Sequence, residues 1–594
     1  MPCSLPDSHV QNLYLGDAGT DQAIRYSASM QRYCDELALH RHAGLNLIRV
    51  WGGGTAEQDE FYDCADKLGL LVYQEFWMTG DNNGRWAGNF SWPLDHEAYL
   101  RNVQDTVLRL RRHPSLLFYG GCNECLGPSG LDNPPSDIDR GIRKALARYD
   151  PGRFYIPSSM SGANGADTFK RPEMWYNRSF GLAFADGPYG LLLPRVFFER
   201  NPGLQYKNIS IGFQPELGST NAPTYRGLLR FMNESEAEGF PRREDPSKVG
   251  EVWEFHRFQE WTTLLSSSTH DKYDHVYAYF HPDQDVNAAD WCAAAQLAAH
   301  SQYQNLFAGF ISHAFEYTTA VIMWKTQSPW PSLRGFLYDW YLETTGALRG
   351  VRATLASSVS VTLDAMSWRL RIVNRSILPI PYTPGGKVGS RFEWFTLQGY
   401  LVEWGSFYLD PKVNVPPMSA ALLGSDALRW PKDCTDVCFL RVIPILPSNH
   451  VTSSKHRPTW YWLSPRSLLG SDYTALGRMR QRQSGYADLH IGQCDMTATG
   501  IHVQVRIDVT GEETLFYPTL VILQPENRQQ ILPVFDQDET DIVLLPGTTH
   551  DRTLKSTAML EETSTSGMLQ ILLESWNGPP ISQTVHCQIS TSLS

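Results

Sequence analysis

The sequence predicts a multidomain α/β + β protein: an eight-stranded β/α barrel over residues 1–350, then two antiparallel β-sandwiches over 351–465 and 466–594. Three observations predict this. Apolar runs begin near residues 45, 70, 115 and 154, at steps of 25, 45 and 39 residues with amphipathic stretches between them. That is the rhythm of successive strand–helix units, which build a parallel sheet covered by helices. No G-x-G-x-x-G register follows the first run, since Gly52-Gly53-Gly54 lacks it, so a TIM-type (β/α)8 barrel is favoured over a doubly wound sheet. After about residue 350, helical periodicity gives way to alternating strands punctuated by Pro- and Gly-bearing turns.

The elements follow in order. Met30, Tyr33, Leu37 and Ala38 recur at helical spacing within 21–43, with Gly44 placed to cap the end. Leu45–Val50 reads as a buried strand. A second helix runs through Phe61, Ala65 and Leu68 and stops at Gly69. Leu70–Phe76 is the next strand, and a third helix through Leu100, Val103, Val107 and Leu110 ends before Pro114. Ser115–Gly121 and Phe154–Ser159 are further strands, with Ser210–Phe213 and Val276–Phe280 as later candidates. A long helix through Trp291, Ala298 and Phe310 precedes the apolar run Ala320–Trp324. The barrel's first strand is uncertain, with His9–Gly16 its one candidate, so the barrel reads as truncated at its amino end. In the second half, Ser358–Leu363, Trp368–Val373, Leu397–Val402, Ile501–Val509 and Leu515–Leu523 alternate as strands. The turn-rich stretch near 463–485 divides the two sandwiches.

Composition excludes several classes. The 594 residues are 42% hydrophobic and only 19% charged, which rules out a disordered chain. The acidic balance, 63 Asp+Glu against 51 Lys+Arg, argues against a nucleic-acid partner. No apolar run approaches the roughly 18–20 residues of a membrane span, so the reading is of a soluble chain without a membrane partner. The opening Met-Pro-Cys-Ser-Leu-Pro-Asp-Ser-His has no signal-peptide pattern. N-x-S sequons at Asn89, Asn177, Asn208, Asn233 and Asn374 are compatible with a secretory route without requiring one, which leaves a vacuolar or secretory route and the cytoplasm both open. Oligomeric state is not legible.

In a β/α barrel the reactive groups lie at the carboxyl ends of the strands. Those positions hold Arg49-Val50-Trp51, Gln74-Glu75-Phe76-Trp77, Asn123-Glu124, Gln214-Pro215-Glu216 and Trp324-Lys325. Carboxylates, amides and indoles on one rim suit a sugar, whose hydroxyls need hydrogen-bond partners and whose C–H face needs a flat apolar surface. Two carboxylates are the minimum for glycosidic cleavage, one protonating the leaving oxygen and the other attacking the anomeric carbon or activating water. Glu124 and Glu216 fit best, and Asn123 is placed to hold a hydroxyl beside the reacting carbon. The bland readings stand beside these: a strand-end Glu is more often a salt-bridge partner, Glu75 is a rival carboxylate, and Trp51, Trp77 and Trp324 suit simple packing. Cys122 and Cys125 form a C-x-x-C that would serve a redox pair or half a zinc site, but no second pair follows. Neither H-E-x-x-H nor G-x-S-x-G occurs, so no metal or cofactor is expected.

Leu47–Gly54 (LIRVWGGG), Gln74–Gly84 (QEFWMTGDNNG), Pro93–His96 (PLDH), His113–Glu124 (HPSLLFYGGCNE), Phe213–Ser219 (FQPELGS) and Val321–Gly335 (VIMWKTQSPWPSLRG) resemble glycoside hydrolase family 2. A weaker likeness continues through Phe516–Leu532 and Glu574-Ser575-Trp576-Asn577. The resemblance implies Glu124 as acid/base, Glu216 as nucleophile, and Trp51, Trp324 and Trp175 in the sugar pocket, and it makes the sandwiches immunoglobulin-like. It also implies a retaining enzyme, with carboxyl groups about 5–5.5 Å apart. The substrate it implies is an oligosaccharide or glycopeptide, at the Manβ1–4GlcNAc bond of N-glycan cores. Exo-β-glucosaminidase and exo-β-mannosidase are alternatives within the family, and a non-catalytic carbohydrate-binding remnant is the alternative from another class. Family 2 proteins usually carry two β-domains before the barrel, where this sequence has about 20 residues, so the chain is expected to be part of a longer protein.

Overall fold

The computed structural model describes residues 14–17, 30–80, 82–83, 91–125, 134–159, 182–189, 194–198, 210–218, 221–245, 248–256, 258, 275–314, 316, 318–324, 330–331, 333, 337–380, 387–410, 413–447, 457–465, 472–497, 499–558 and 567–590. Eight strands form one sheet: β1 (Tyr14–Asp17), β2 (Leu47–Val50), β3 (Leu71–Glu75), β4 (Leu116–Gly120), β5 (Phe154–Ile156), β6 (Leu182–Tyr189), β7 (Ser210–Gly218) and β8 (Ala320–Met323). Their order across the sheet is β5-β4-β3-β2-β1-β8-β7-β6, and every described pairing is parallel. The first strand falls inside the candidate His9–Gly16 and reaches one residue past it. Helices α1 (Met30–Ala43), α2 (Asp59–Leu68), α3 (His96–Leu110) and α4 (Ser136–Tyr149) follow the first four strands. The expected helix stops hold: Gly44 and Gly69 take φ of 91° and 67°.

The sheet curls. Leu47, Tyr73, Phe118, Ile156 and Ile322 come from five different strands yet pack into one buried cluster. The rings of Phe118 on β4 and Phe213 on β7 lie 6.0 Å apart. These strands are five places apart in the sheet order, a distance of about 24 Å if the sheet were flat. Two periodicities make this interior. Along each strand alternate residues face inward, as Leu47 and Arg49 do on β2, while α1 to α4 turn Tyr33, Phe61, Val103 and Ile142 onto the other face.

The carboxyl-terminal half is β-sandwich. Strands Val359–Asp364, Arg369–Asn374 and Ser419–Leu422 form one sheet, and Gly389–Phe395, Leu401–Tyr408, Cys438–Ile445 and Thr459–Leu463 another. Val361, Ile372, Trp394 and Leu440 fill the space between them. A second pair of sheets encloses Val503, Ile507, Ile522, Leu554 and Ile571. The long helix Ala288–Ile311 is buried nearly all round, because Trp291 and its neighbours pack against Trp460, Trp462, Met479 and Trp576 of the carboxyl-terminal half.

Three expectations need correction. Val276–Phe280, rich in β-branched and aromatic residues, is not a strand: residues 275–277 form a helical turn, which buries Val276, Tyr279 and Phe280 against the long helix's neighbours. The stretch 463–485, read as turns, holds the helix Thr474–Arg482, whose Leu476 and Met479 dock on that same core while Arg480 bonds to Asp290 of the long helix and Arg478 and Arg482 face outward. Leu397 sits in a turn, and the strand expected at 397–402 runs instead from Leu401 to Tyr408. Strand β6 and helix α4 are further elements that the sequence pattern does not predict. Three disulfides, Cys34–Cys64, Cys434–Cys438 and Cys494–Cys587, tie α1 to α2 and staple each sandwich.

Candidate active site

The site grows from the carboxyl ends of β2, β3, β4 and β7. Alternation on β3 puts Tyr73 and Glu75 on the inner face, and Arg49 occupies the same face of β2. Arg49 is 0% exposed and is the hub. Its Nη2 donates to both carboxylate oxygens of Glu75 at 2.9 and 3.0 Å and to Oδ1 of Asn123 at 2.5 Å. Its Nη1 donates to Oε2 of Glu216 at 3.0 Å and to the Pro215 carbonyl at 2.9 Å. One guanidinium thus joins β2, β3, β7 and the loop after β4. Burial opposes its charge, but Glu75, then Tyr73 and Glu216, outweigh that and hold its pKa above the ordinary value.

Glu75 is filled on both oxygens. The Tyr73 hydroxyl donates to Oε1 at 2.6 Å and the Gly52 amide to Oε2 at 2.8 Å. Burial, then the charge of Glu75, pushes the Tyr73 phenol well above its usual value, so it stays a donor. Gly120 makes this packing possible: a Cβ there would stand 2.7 Å from the Tyr73 ring and 2.8 Å from the Glu75 side chain.

Beyond β4 the loop is clamped on both sides. The Asn123 amide donates to Met78, and its carbonyl accepts from Gly80. The Asn123 side chain donates from Nδ2 to Thr79 at 3.1 Å, while its Oδ1 accepts from Ser159 at 3.2 Å as well as from Arg49. The Ser159 hydroxyl in turn accepts from the Glu124 amide at 3.0 Å. Glu124 is held at φ 48°, a left-handed conformation costing a non-glycine residue about 1–3 kcal/mol, which the clamped neighbours impose. Glu124 is 8% exposed and Glu216 6%, so both residues are enclosed without being sealed.

Trp51 and Trp324 meet edge to face at 4.9 Å, where the ends of β2 and β8 converge. The Trp324 amide donates to Leu217 at 2.6 Å, and its carbonyl lies 2.0 Å from where a Cβ on Gly218 would sit. Only glycine at 218 lets β7 and β8 approach so closely. Of the sequence-predicted residues, Arg49, Asn123 and Glu216 are in direct contact, Glu124 is the next residue along, and Trp51 pairs with Trp324. Arg49, expected against the sugar, is fully enclosed behind the carboxylates. Trp77 packs on Phe76 and on Tyr99 of α3, outside the Arg49 cluster. Trp175 and Lys325 lie outside the described residues. The reading missed Tyr73, Thr79 and Ser159; for Tyr73 the signal was present, since two residues before Glu75 is the same face of the strand.

Cys122 and Cys125 are free and buried, and burial, followed by Cys122, pushes the Cys125 thiol well above its usual value. A protonated buried thiol is a poor metal ligand and a poor nucleophile. Among the described residues one group has metal-ligand spacing, Asp63, Asp66 and His113. It lies at the opposite end of the sheet, where Asp66 accepts from the Ser115 amide at 2.9 Å and pairs with His113 at 2.8 Å, tying α2 to the start of β4.

No family model matches the chain. Individual relatives do. A mannosylglycoprotein endo-β-mannosidase from Lilium longiflorum is 30% identical over 472 residues, 75% of this chain and 45% of the relative. An exo-β-D-glucosaminidase from Amycolatopsis orientalis is 25% identical over 578 residues, 91% of this chain and 50% of the relative. Its relatives are glycosidases. The likeness to glycoside hydrolase family 2 seen in the motifs therefore extends to named proteins, and this chain spans about half their length. In structure, the β-D-mannosidase of Dictyoglomus thermophilum superposes with a TM-score of 0.65 at 15% identity, covering 98% of this chain and 61% of that one, and shares its α/β plus β-sandwich fold.

Proposed function

We propose that the chain carries the active centre of a retaining β-glycosidase of the family 2 type, acting on β-mannosidic bonds and foremost on the Manβ1–4GlcNAc linkage of N-glycan cores. The observation that carries this reading is the single guanidinium of Arg49 bound to both Glu216 and Asn123, the residue before Glu124. It ties Glu216 on β7 to the loop after β4 that carries Glu124, which supports the two acting on one sugar. Glu216 attacks the anomeric carbon while protonated Glu124 gives its proton to the departing oxygen, so one C–O bond forms as another breaks. Glu124 then takes a proton from water, whose oxygen displaces Glu216 and frees the sugar. Trp51 and Trp324 supply the apolar wall. The sheet closes as a (β/α)8 barrel, residues 351–465 and 466–594 form immunoglobulin-like sandwiches, and no cofactor takes part.

The relatives' names also bring exo-β-glucosaminidase into view. A sugar with an amine at C2 wants a carboxylate to spare, and Glu75, the rival carboxylate on this rim, already has both oxygens engaged. That favours a neutral mannoside. The disulfides support the vacuolar or secretory route over the cytoplasm.

The test is turnover of Man-GlcNAc oligomers beside chitosan oligomers by the wild type, Glu216→Ala and Glu124→Gln. Both variants are expected to lose about 10³-fold or more in kcat on the mannoside. Undiminished turnover by Glu216→Ala overturns the assignment, preferred cleavage of chitosan replaces the substrate, and glycan binding without turnover by the wild type makes the chain a binding protein.

A further inference from the structure

We propose that Glu75 is a positioning residue of this reaction, acting through Arg49 to hold the Glu216 carboxylate ionised yet loosely enough paired to attack. The inference rests on Glu216 being the nucleophile.

The argument begins with what Arg49 alone would do. A fully buried guanidinium beside one carboxylate makes a tight, poorly screened ion pair. Such a pair keeps the carboxylate ionised but binds its lone pairs to Arg49 and blunts its attack. A second carboxylate on the other nitrogen divides the guanidinium's charge, and Glu75 stands there, bonded through both oxygens. The reaction cycle sharpens the need. Once Glu216 has formed its ester with the sugar it is neutral, and Arg49 has lost that counterion in a site 0% exposed. Glu75 lies on the other guanidinium nitrogen and takes no covalent part, so the buried cation keeps a carboxylate partner through the whole cycle. Its own orientation is fixed by Tyr73 and by the Gly52 amide. Arg49 also grips Asn123, so its orientation reaches the acid/base loop as well.

The charged and titratable groups around Glu216 and Glu75 are Arg49 on β2, Tyr73 on β3, and Cys122, Glu124 and Cys125 after β4. On the remaining neighbours, Asp186 of β6 pairs in register with Glu216, and Asp17 ends β1. Arg49 bonds to both carboxylates, which sets the sign of the expected effects. Removing the charge of Glu75 leaves Arg49 to act on Glu216 undivided, which lowers the apparent pKa of the nucleophile. Removing the Tyr73 hydroxyl leaves more of the Glu75 charge for Arg49, which raises it.

The experiment is kcat, KM and the pH dependence of kcat/KM for Glu75→Gln and Tyr73→Phe, with thermal melts on each. Glu75→Gln is expected to lower kcat about 10–100-fold with KM within about twofold, and to move the acidic limb down by about half a pH unit or more. Tyr73→Phe is expected to move the same limb upward by a smaller amount. Should Glu75→Gln fail to fold, the upward shift in Tyr73→Phe decides alone. A folded Glu75→Gln with an unmoved limb, an unmoved limb in Tyr73→Phe, or limbs moving the same way in both overturns the proposal. Glu216→Ala run alongside separates the two levels: if it still turns over substrate, the functional reading falls and this falls with it; if it is inactive while the limbs stay put, only this proposal falls.

Discussion

Two buried arginine clusters in this molecule are built on opposite plans. At the carboxyl end of the parallel sheet, Arg49 gives most of its hydrogen bonds to side chains that can titrate, attack or turn. Where the sheet unit meets the last sandwich, Arg349 donates to the carbonyls of Pro518 and Glu539 and lies 3.9 Å over the Tyr517 ring. Nearby Arg352 donates to the carbonyls of His42 and Gln537 and pairs with Glu539, and Arg552 donates to the Asp541 carbonyl and to the Asp536 carboxylate. Main-chain carbonyls are neutral and fixed, so a guanidinium satisfied by them is a lock. A guanidinium satisfied by carboxylates leaves the charge state of its partners open to chemistry. Burial alone does not separate a structural cation from a functional one; the balance of acceptors does, since Arg49 bonds mainly to side chains while the interface arginines divide theirs between carboxylates and main-chain carbonyls.

The largest test of that contrast is the nucleophile itself, since Glu216→Ala is expected to abolish turnover while leaving the melting temperature close to that of the wild type. The converse belongs to Glu539, whose carboxylate meets His42 at 2.8 Å and Arg352 at 3.3 Å across the interface. Glu539→Ala strands buried positive charge and is expected to cost about 3–5 kcal/mol by chemical denaturation. It leaves the pH–rate limbs where they are, and a moved limb would erase the distinction between the clusters. Acid offers a milder probe. Although burial opposes ionisation, His42, Arg352 and Arg349 hold the Glu539 carboxyl down at about 2, against an ordinary value of 4.5. A depressed carboxyl stabilises the fold above its unfolded pKa, so roughly 3 kcal/mol is lost progressively as pH falls from about 4.5 towards 2. Denaturation midpoints of wild type and Glu539→Gln should converge over that window. The smallest effect is expected on the sandwich surface: Trp404, 61% exposed on the strand Leu401–Tyr408, should change stability by no more than about 0.5 kcal/mol when replaced by Ala, as read from the melting curve.

The sequence carried much of this because chain position and strand ends are local information. Strands β2, β3 and β4, their helices and the stops at Gly44 and Gly69 were legible from periodicity and glycine placement, and the places of Glu124 and Glu216 near strand ends from the apolar runs before them. Depth was not legible. That Arg49 is enclosed while Trp51 reaches the rim depends on which strand-end side chain points inward and on what meets it from β7, 167 residues away. Glu75 looked like a rival to Glu124 because spacing cannot show that a tyrosine, an amide and a guanidinium already fill its oxygens. Val276–Phe280 misled for a related reason: β-branched and aromatic residues favour strands only where a sheet edge awaits them, and these meet the flank of a long helix.

That long helix, Ala288–Ile311, has a consequence for how the molecule opens. Its buried glutamines are bonded to both halves, Gln296 to the carbonyls of Ala222 and Pro223 and Gln304 to that of Trp460. The amides in its middle turns can meet solvent only when the sheet unit and the sandwiches part, so their hydrogen–deuterium exchange should follow the global unfolding free energy rather than local fraying. The same helix makes the sandwiches poor candidates for excision: cut away, they would leave Trp291 and its neighbours facing water as an apolar patch prone to self-association.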